Sequence, residues 1–229
     1  MISRRRDYDK REPSRDAHKI YLVCEGKGTE IDYFKFFEGL SSNLQVITIP
    51  PSDGSDPIKL MKRAQEVLLG DNRQYTVECE HGDTVWCIID TDTWEREGKI
   101  KPLREFCQKQ NDIVCDKFNE MRPYPVWNVA QSNPCFEIWL YYHFYDNKPV
   151  REAVESCASF KEYVHKTIAG GFNFEKDPAR LETAITNTEA NFQLEQNGNL
   201  SVYSTEMYKP GKEILGFVKS ELDKLRNKL

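Results

Sequence analysis

The sequence predicts an α/β fold, in which the strands of a parallel sheet alternate with helices. Four short apolar runs have the length of buried strands and end at polar or turn-forming residues. They lie at residues 19–24, 45–49, 84–90 and 125–130. Segments with apolar residues at helical spacing lie between these runs. This alternation implies parallel pairing through right-handed crossovers, and therefore a small sheet flanked by helices.

The first strand, KIYLVC, leads into a predicted helix from Thr29 to Leu40, whose apolar residues share one face. Thr29 and Asp32 match a capping box at the start of this helix. A second helix is predicted at residues 57–69, after a loop rich in proline, serine and glycine.

The second half of the predicted sheet begins with TVWCIID at residues 84–90. This run is apolar until its final acid, which is typical of a strand buried on both faces. Helices are predicted at residues 100–121 and 134–144, on either side of the short strand at 125–130. Pro134 would lie near the first turn of the later helix, where proline is tolerated.

The chain divides into three predicted regions. Residues 1–17 are polar and partly basic and are predicted to form a flexible arm. Residues 18–145 contain the alternating strands and helices of one α/β core. Residues 146–229 lack strand-like runs and contain amphipathic segments, so we expect a helical extension packed on that core.

Composition excludes several classes of protein. The net charge is −5, 30% of residues are charged and the mean hydropathy is −0.68. No run approaches the roughly 18 apolar residues that a membrane span needs, so we expect no membrane partner. A protein that coats duplex nucleic acid is usually basic, which argues against broad nucleic-acid binding by this chain alone. An acidic metal centre that meets phosphate through bound cations remains compatible with this charge.

Cysteine usage predicts a reducing compartment. The seven cysteines are odd in number, and none has CxxC spacing or a zinc-type cluster with histidine. Cys24 and Cys87 lie inside apolar runs, as small buried residues do. We therefore predict a cytoplasmic protein.

Two predicted strands end in acids. Glu25 directly follows the first strand, and Asp90 ends the run at residues 84–90. The carboxyl ends of parallel strands gather ligand-binding and catalytic groups, and in extended chain Asp92 would lie on the same side as Asp90. Three carboxylates at one sheet edge would suit Mg²⁺. A surface turn explains the Asp90–Asp92 pair equally well, so the spacing leaves both interpretations open.

The glycine-rich loop EGKGTE at residues 25–30 matches neither a Walker A loop nor a dinucleotide-binding motif. Its glycines are better explained by a tight turn from strand to helix. Such a turn would leave Glu25 exposed at the strand end and would let Lys27 reach a phosphate. Lys27 as an ordinary solvated side chain is the alternative.

A third segment, SNPCFEIWLYYHF, carries an aromatic stripe at helical spacing, which is usually core. Glu137 is unusual in so apolar a setting, because a buried carboxylate needs a partner. It could support the metal site or pair with a base such as Arg104 or Lys35. His143 either supports the site or is a satisfied core histidine.

Three of these blocks together resemble the signature blocks of RloB-like proteins: VCEGKGTEIDYF, IIDTDT and SNPCFEIWLYYHF. The segment STEMYKPGKEILGFV is a looser match, and the resemblance spans about residues 19–220. RloB-like proteins are bacterial, have a Toprim-like core, are often encoded beside an ATPase of the RloA kind, and are associated with defence against phage.

The resemblance implies a Toprim-like α/β core with Mg²⁺ or Mn²⁺ bound by Glu25, Asp90 and Asp92. It implies a further ligand or supporting role for Glu30, with Lys27 assisting, and includes Glu137 in a family block. The implied activity is a metal-dependent nuclease that hydrolyses phosphodiesters of DNA or RNA, including tRNA, in abortive infection under control of an RloA-type ATPase. A homo-oligomer is also compatible with this description.

Two other functions remain open from the sequence. The chain could be a non-catalytic regulatory or scaffold subunit of a defence ATPase, with an idle acidic cleft. Alternatively, it could transfer a phosphoryl group to or from a nucleotide, although no base-binding or ribose-binding feature is visible in the sequence.

Overall fold

The computed structural model describes residues 10–52, 54–114, 118, 120 and 122–227. Its sheet has five strands, which are β1 (His18–Cys24), β2 (Leu44–Ile49), β3 (Thr84–Asp90), β4 (Trp127–Asn133) and β5 (Ser204–Thr205). The spatial order is β2-β1-β3-β4-β5; the first four strands are parallel, and β5 is antiparallel to β4. The predicted α/β class, with a mainly parallel sheet flanked by helices, is confirmed, and the arrangement is consistent with a Toprim-like fold.

Eight α-helices lie within the described residues. They are α1 (Thr29–Lys35), α2 (Pro57–Ala64), α3 (Ile100–Ile113), α4 (Glu137–Tyr141), α5 (Arg151–Glu155), α6 (Phe160–Thr167), α7 (Leu181–Asn191) and α8 (Tyr208–Arg226).

Several predicted boundaries differ from the structure. The helix expected to reach Leu40 ends at Lys35 and continues as turns. The helix expected at residues 134–144 begins only at Glu137, because β4 extends to Asn133 and Pro134 lies in the connection. Part of the helix expected at residues 100–121 lies outside the described residues.

The predicted capping box at α1 is wrong. The residue that caps the helix is Gly28, which has no side chain to accept a hydrogen bond from the free N–H groups there. Thr29 is already the first helical residue, so its hydroxyl lies one position too late to cap. Asp32 instead pairs with Lys35 at 3.3 Å across one turn.

The sheet is buried on both faces because side chains alternate along each strand. On β1, Ile20 and Leu22 face a layer built from α1, α4, α7 and α8, whereas Tyr21 and Val23 face α2 and α3. Helix α8 contributes fully buried residues such as Ile214 to the first layer. The C-terminal helices therefore complete the core on one face of the sheet.

The N-terminal arm, the cysteines and the absence of a predicted membrane span can each be compared with the described residues. In the described part of the predicted N-terminal arm, Arg11 N–H donates to Gly39 O and Ser14 N–H donates to Ser42 O; residues 1–9 lie outside the described residues. Six cysteines within the described residues are free, and the seventh, Cys115, lies outside the described residues. No helix within the described ranges is both long and apolar enough to span a bilayer.

Candidate active site

The register of β1 and β3 places Glu25 beside Asp90 at the carboxyl edge of the sheet. Cys24 is opposite Ile88, and the backbone N–H of Glu25 donates to Ile88 O at 3.1 Å. The Glu25 side chain then turns toward β3, where Oε2 accepts a hydrogen bond from the backbone N–H of Asp90 at 2.9 Å. Adjacent parallel strands therefore bring the two predicted acids together.

Trp94 is a site residue that the sequence interpretation missed. Its indole Nε1–H donates to Glu25 Oε1 at 2.7 Å, so both oxygens of Glu25 accept a hydrogen bond. Lys99 lies over the Trp94 ring, with Nζ 4.5 Å from the centroid. No pattern in the sequence links Trp94 to Glu25, because the contact depends on the turn that follows β3.

Gly26 makes room for the carboxylate of Glu30. Its backbone N–H donates to Glu30 Oε1 at 3.1 Å, and a Cβ at Gly26 would lie only 2.2 Å from Glu30 Oε2. A Cβ at Gly28 would meet nothing within 4 Å. The first glycine of the loop therefore permits close approach of an acid as well as a turn from strand to helix.

Asp90 connects the sheet edge to the SNPCFE block. Its Oδ1 accepts a hydrogen bond from the backbone N–H of Phe136 at 2.8 Å, immediately before α4. This contact places the start of α4, with Glu137, beside the end of β3.

Asp92 does not lie in extended chain. The strand ends at Asp90, and Asp92 lies in the following turn with a positive φ of 36° and an exposed side chain. Of the two interpretations that the sequence left open, the structure has the surface turn, and strand alternation does not align Asp92 with Asp90 because the alternation stops where the strand stops. Asp92 still lies close enough for its charge to act on Glu25.

Glu137 is buried with one oxygen unsatisfied. Its Oε1 lies 3.5 Å from Lys161 Nζ on α6, whereas Oε2 accepts no hydrogen bond from any described residue. The predicted partners Arg104 and Lys35 are wrong, because each base pairs with an acid nearer to it in space. Arg104 contacts Glu206 at 2.6 Å, and Lys35 contacts Asp32 at 3.3 Å.

Burial and mutual repulsion raise the pKa values of these acids. Burial raises the pKa of Glu25 to about 7; the hydrogen bonds from Asp90 and Trp94 oppose this shift, and the charges of Glu30 and Asp92 add to it. Burial also raises the pKa of Asp90 well above its ordinary value, and Glu30, Glu25 and Glu137 raise it further. The carboxylates at this edge are therefore close enough to repel one another, and a cation would relieve that repulsion.

Two other predicted residues lie apart from the acids. His143 is fully buried in the aromatic core, where its Nδ1 lies 2.9 Å from Trp139 O and its Nε2 lies 3.2 Å from the Tyr33 hydroxyl. Burial lowers the pKa of His143 to about 3, so the ring is neutral. Lys27 is exposed on the glycine loop and forms no ion pair with any described residue.

The donor set suits a hard divalent cation, although the described residues contain no group of three acidic, histidine or cysteine side chains that could hold a metal ion. All the candidate donors are carboxylate oxygens, which Mg²⁺ and Mn²⁺ prefer. Mg²⁺ is commonly held by one or two carboxylates, with waters and substrate phosphates completing its shell. The unpartnered Oε2 of buried Glu137 is an acceptor that such an ion, or a water bound to it, would satisfy.

The fold and this edge define an α/β protein with a carboxylate cluster at the carboxyl ends of its parallel strands. A family model described as RloB-like protein matches residues 20–214. The match covers most of the 229 residues, so the chain belongs to the RloB-like family. Searches among curated proteins and among solved structures found no match.

Proposed function

We propose that this RloB-like protein is a Mg²⁺- or Mn²⁺-dependent phosphodiesterase that hydrolyses nucleic acid. The observation that carries the proposal is the hydrogen bond from Asp90 N–H to Glu25 Oε2, which holds the buried Glu25 carboxylate beside the backbone of partly buried Asp90 at the sheet edge. Carboxylates held together at the carboxyl edge of a parallel sheet can bind a cation. Without such a partner, their burial lowers the free energy of unfolding.

In this proposal, Glu25 and Asp90 would hold the ion, with waters and substrate phosphates completing its shell. Asp92, in the adjoining turn, would add negative charge nearby. A bound Mg²⁺ or Mn²⁺ would supply polarisation of a phosphate oxygen and a lowered pKa for a water. Hydrolysis would then form one P–O bond from a water that loses a proton, break one ester P–O bond, and return a proton to the leaving oxygen. The products are a phosphomonoester and an alcohol, and no other reactant is required.

The neighbouring side chains have supporting roles. Trp94 and the backbone of Asp90 orient Glu25 through their two hydrogen bonds. Glu30 is held against Gly26 and adds negative charge next to Asp90. Exposed Lys27, on the same loop, is available to contact a substrate phosphate.

The cellular setting follows from the resemblance to RloB-like proteins and is part of the proposal. The protein would act in the cytoplasm in anti-phage defence, as an abortive-infection nuclease controlled by an ATPase of the RloA kind. The net charge of −5 favours a substrate, DNA or RNA such as tRNA, that is presented with the help of that partner.

Cleavage assays test the proposal. The full chain, alone and with its partner ATPase, is incubated with labelled DNA, RNA and tRNA in Mg²⁺, Mn²⁺ or EDTA. We expect cleavage that requires the cation and falls at least a hundredfold in Glu25→Gln and Asp90→Asn. Glu105→Gln, a change to an exposed acid on α3, is the matched control. Cleavage that survives both site variants would refute the proposal.

A regulatory or scaffold subunit is the second candidate. It is favoured by the two hydrogen bonds that already engage both oxygens of Glu25, because they give this carboxylate a structural role. Calorimetry separates the candidates: a scaffold would show no Mg²⁺ or Mn²⁺ affinity that is lost in Asp92→Ala. Stabilisation by ATP in a thermal-shift assay without nucleic acid would instead favour phosphoryl transfer.

A further inference from the structure

Lys161 brings a positive charge from the C-terminal half of the chain to the carboxylate cluster. It is the second residue of α6, and its Nζ lies 3.5 Å from Glu137 Oε1. We define the carboxylate cluster as Glu25, Glu30, Asp90 and Glu137. Within the described residues, the Lys161–Glu137 contact is the one ion pair that this cluster forms.

This single ion pair does not neutralise all the carboxylates of the cluster. The Glu137 side chain is nine-tenths buried, and among the described residues its Oε2 accepts no hydrogen bond. Lys161 also lies within electrostatic range of Asp90 and Glu30. Burial alone would lower the pKa of Lys161, but attraction to Glu137, Asp90 and Glu30 outweighs it and the pKa is raised. One ammonium group is therefore shared among several carboxylates.

We propose that Lys161 is the resident counter-ion of the carboxylate cluster, and that it competes with a divalent cation for these carboxylates. The inference rests on the proposed function only in taking this edge as the cation site. It assigns Lys161 a regulatory contact: the Lys161 ammonium group neutralises part of the cluster's negative charge until a divalent cation binds.

The side chain of Lys161 can move away from the carboxylate cluster. It is 63% exposed, and its 3.5 Å contact with Glu137 is long for a charge-assisted hydrogen bond. A compact ammonium on a flexible four-carbon stem can turn toward solvent without disturbing α6. The like charge of a bound divalent cation would repel Lys161, whose ammonium group would then be free to contact an anionic phosphate of the substrate.

Mn²⁺ titration calorimetry on the full chain tests this competition without requiring activity. Lys161→Gln removes the competing charge and should bind Mn²⁺ about tenfold more tightly than the unmodified protein. Lys161→Arg keeps the charge and should bind close to the unmodified affinity. The matched control is Lys166→Gln on the same helix, where the lysine pairs with partly exposed Glu162 at 2.6 Å; the Mn²⁺ affinity of this variant should not change.

The outcomes separate this inference from the proposed function. Equal or weaker Mn²⁺ binding by Lys161→Gln, or equal tightening by Lys166→Gln, would overturn the inference but leave the cation site. Absence of Mn²⁺ binding in every variant would overturn both. Tighter binding by Lys161→Gln in a protein that cleaves no nucleic acid would support the counter-ion and refute the nuclease.

Discussion

The backbone N–H of Asp90 donates a hydrogen bond of 2.9 Å to the side-chain carboxylate of Glu25. The bond crosses from β1 to β3 at the point where both strands end. It satisfies one oxygen of Glu25 but leaves the two acids next to each other, so the free energy of unfolding depends on their protonation.

The stability of the metal-free protein should fall as pH rises through the titration of Glu25. The pKa of Glu25 is about 7 in the fold, against an ordinary value of 4.5, so between these pH values the folded state holds a proton that the unfolded state has lost. Stability is present below about pH 4.5 and is lost as pH rises to about 7. One group over this interval contributes on the order of 3 kcal/mol.

Urea denaturation at pH 5, 6, 7 and 8 in EDTA checks this prediction against Glu25→Gln, which cannot titrate. The difference in free energy of unfolding, variant minus unmodified, should increase with pH. Asp90 shifts in the same direction, but it is present in both proteins and its effect largely cancels. A difference that is independent of pH would contradict the assigned shift, and Glu105→Gln controls for loss of an acid elsewhere.

Trp94→Phe should remove a hydrogen bond that stabilises the ionised form of Glu25. The change removes the 2.7 Å hydrogen bond to Oε1 and keeps an aromatic ring in place. A hydrogen bond to a charged group contributes about 1.5–3 kcal/mol, and one to a neutral group about 1 kcal/mol. The variant should therefore lose more stability at pH 8 than at pH 5, as measured by urea denaturation. An equal loss at both pH values would indicate packing alone.

Gly26→Ala should displace the Glu30 carboxylate without unfolding the protein. The new Cβ would lie 2.2 Å from Oε2, and a carboxylate at the end of a flexible side chain can move aside. Loss of one hydrogen bond costs about 1 kcal/mol. We expect a loss of that size in urea denaturation, together with weaker Mn²⁺ binding. Gly28→Ala has open space around its Cβ and is the control; an equal effect there would contradict a specific role for Gly26.

Two glycines of α8 should respond oppositely to alanine. At Gly211, a Cβ would lie 3.3 Å from Trp139 and from Ile185, so overpacking should cost about 1–3 kcal/mol, partly offset by helix propensity. At Gly216 nothing lies within 4 Å, so alanine should stabilise the helix by about 1 kcal/mol. Thermal unfolding of both variants measures the difference. Stabilisation at both positions would contradict the close packing of α8.

Much of the architecture follows from local patterns. The strand at Thr84–Asp90 is found where its apolar run predicts it, because a continuous apolar segment can be buried only between two layers. The end of β4 and the start of α4 differ from prediction, since the segment before Glu137 has both strand-like and helix-like composition and the pairing with β3 decides between them.

The candidate site was predictable only in part. Glu25 and Asp90 directly follow apolar runs, and their proximity is a consequence of parallel pairing. The turn at Asp92 was not predictable from the alternation within the strand, and neither was the contact of Trp94 with Glu25. Both depend on how the chain folds back after β3.

The sequence by itself determined the α/β class and the two acids at the strand ends, because strand periodicity and chain direction are local properties. The tertiary structure alone decided which basic side chain faces Glu137 and which N–H groups hold Glu25. It also decided that a side chain at position 26 would displace the Glu30 carboxylate. These contacts join residues from different elements, and long side chains select among many oppositely charged partners. Packing brings Lys161 to Glu137 and leaves Arg104 and Lys35 with other acids.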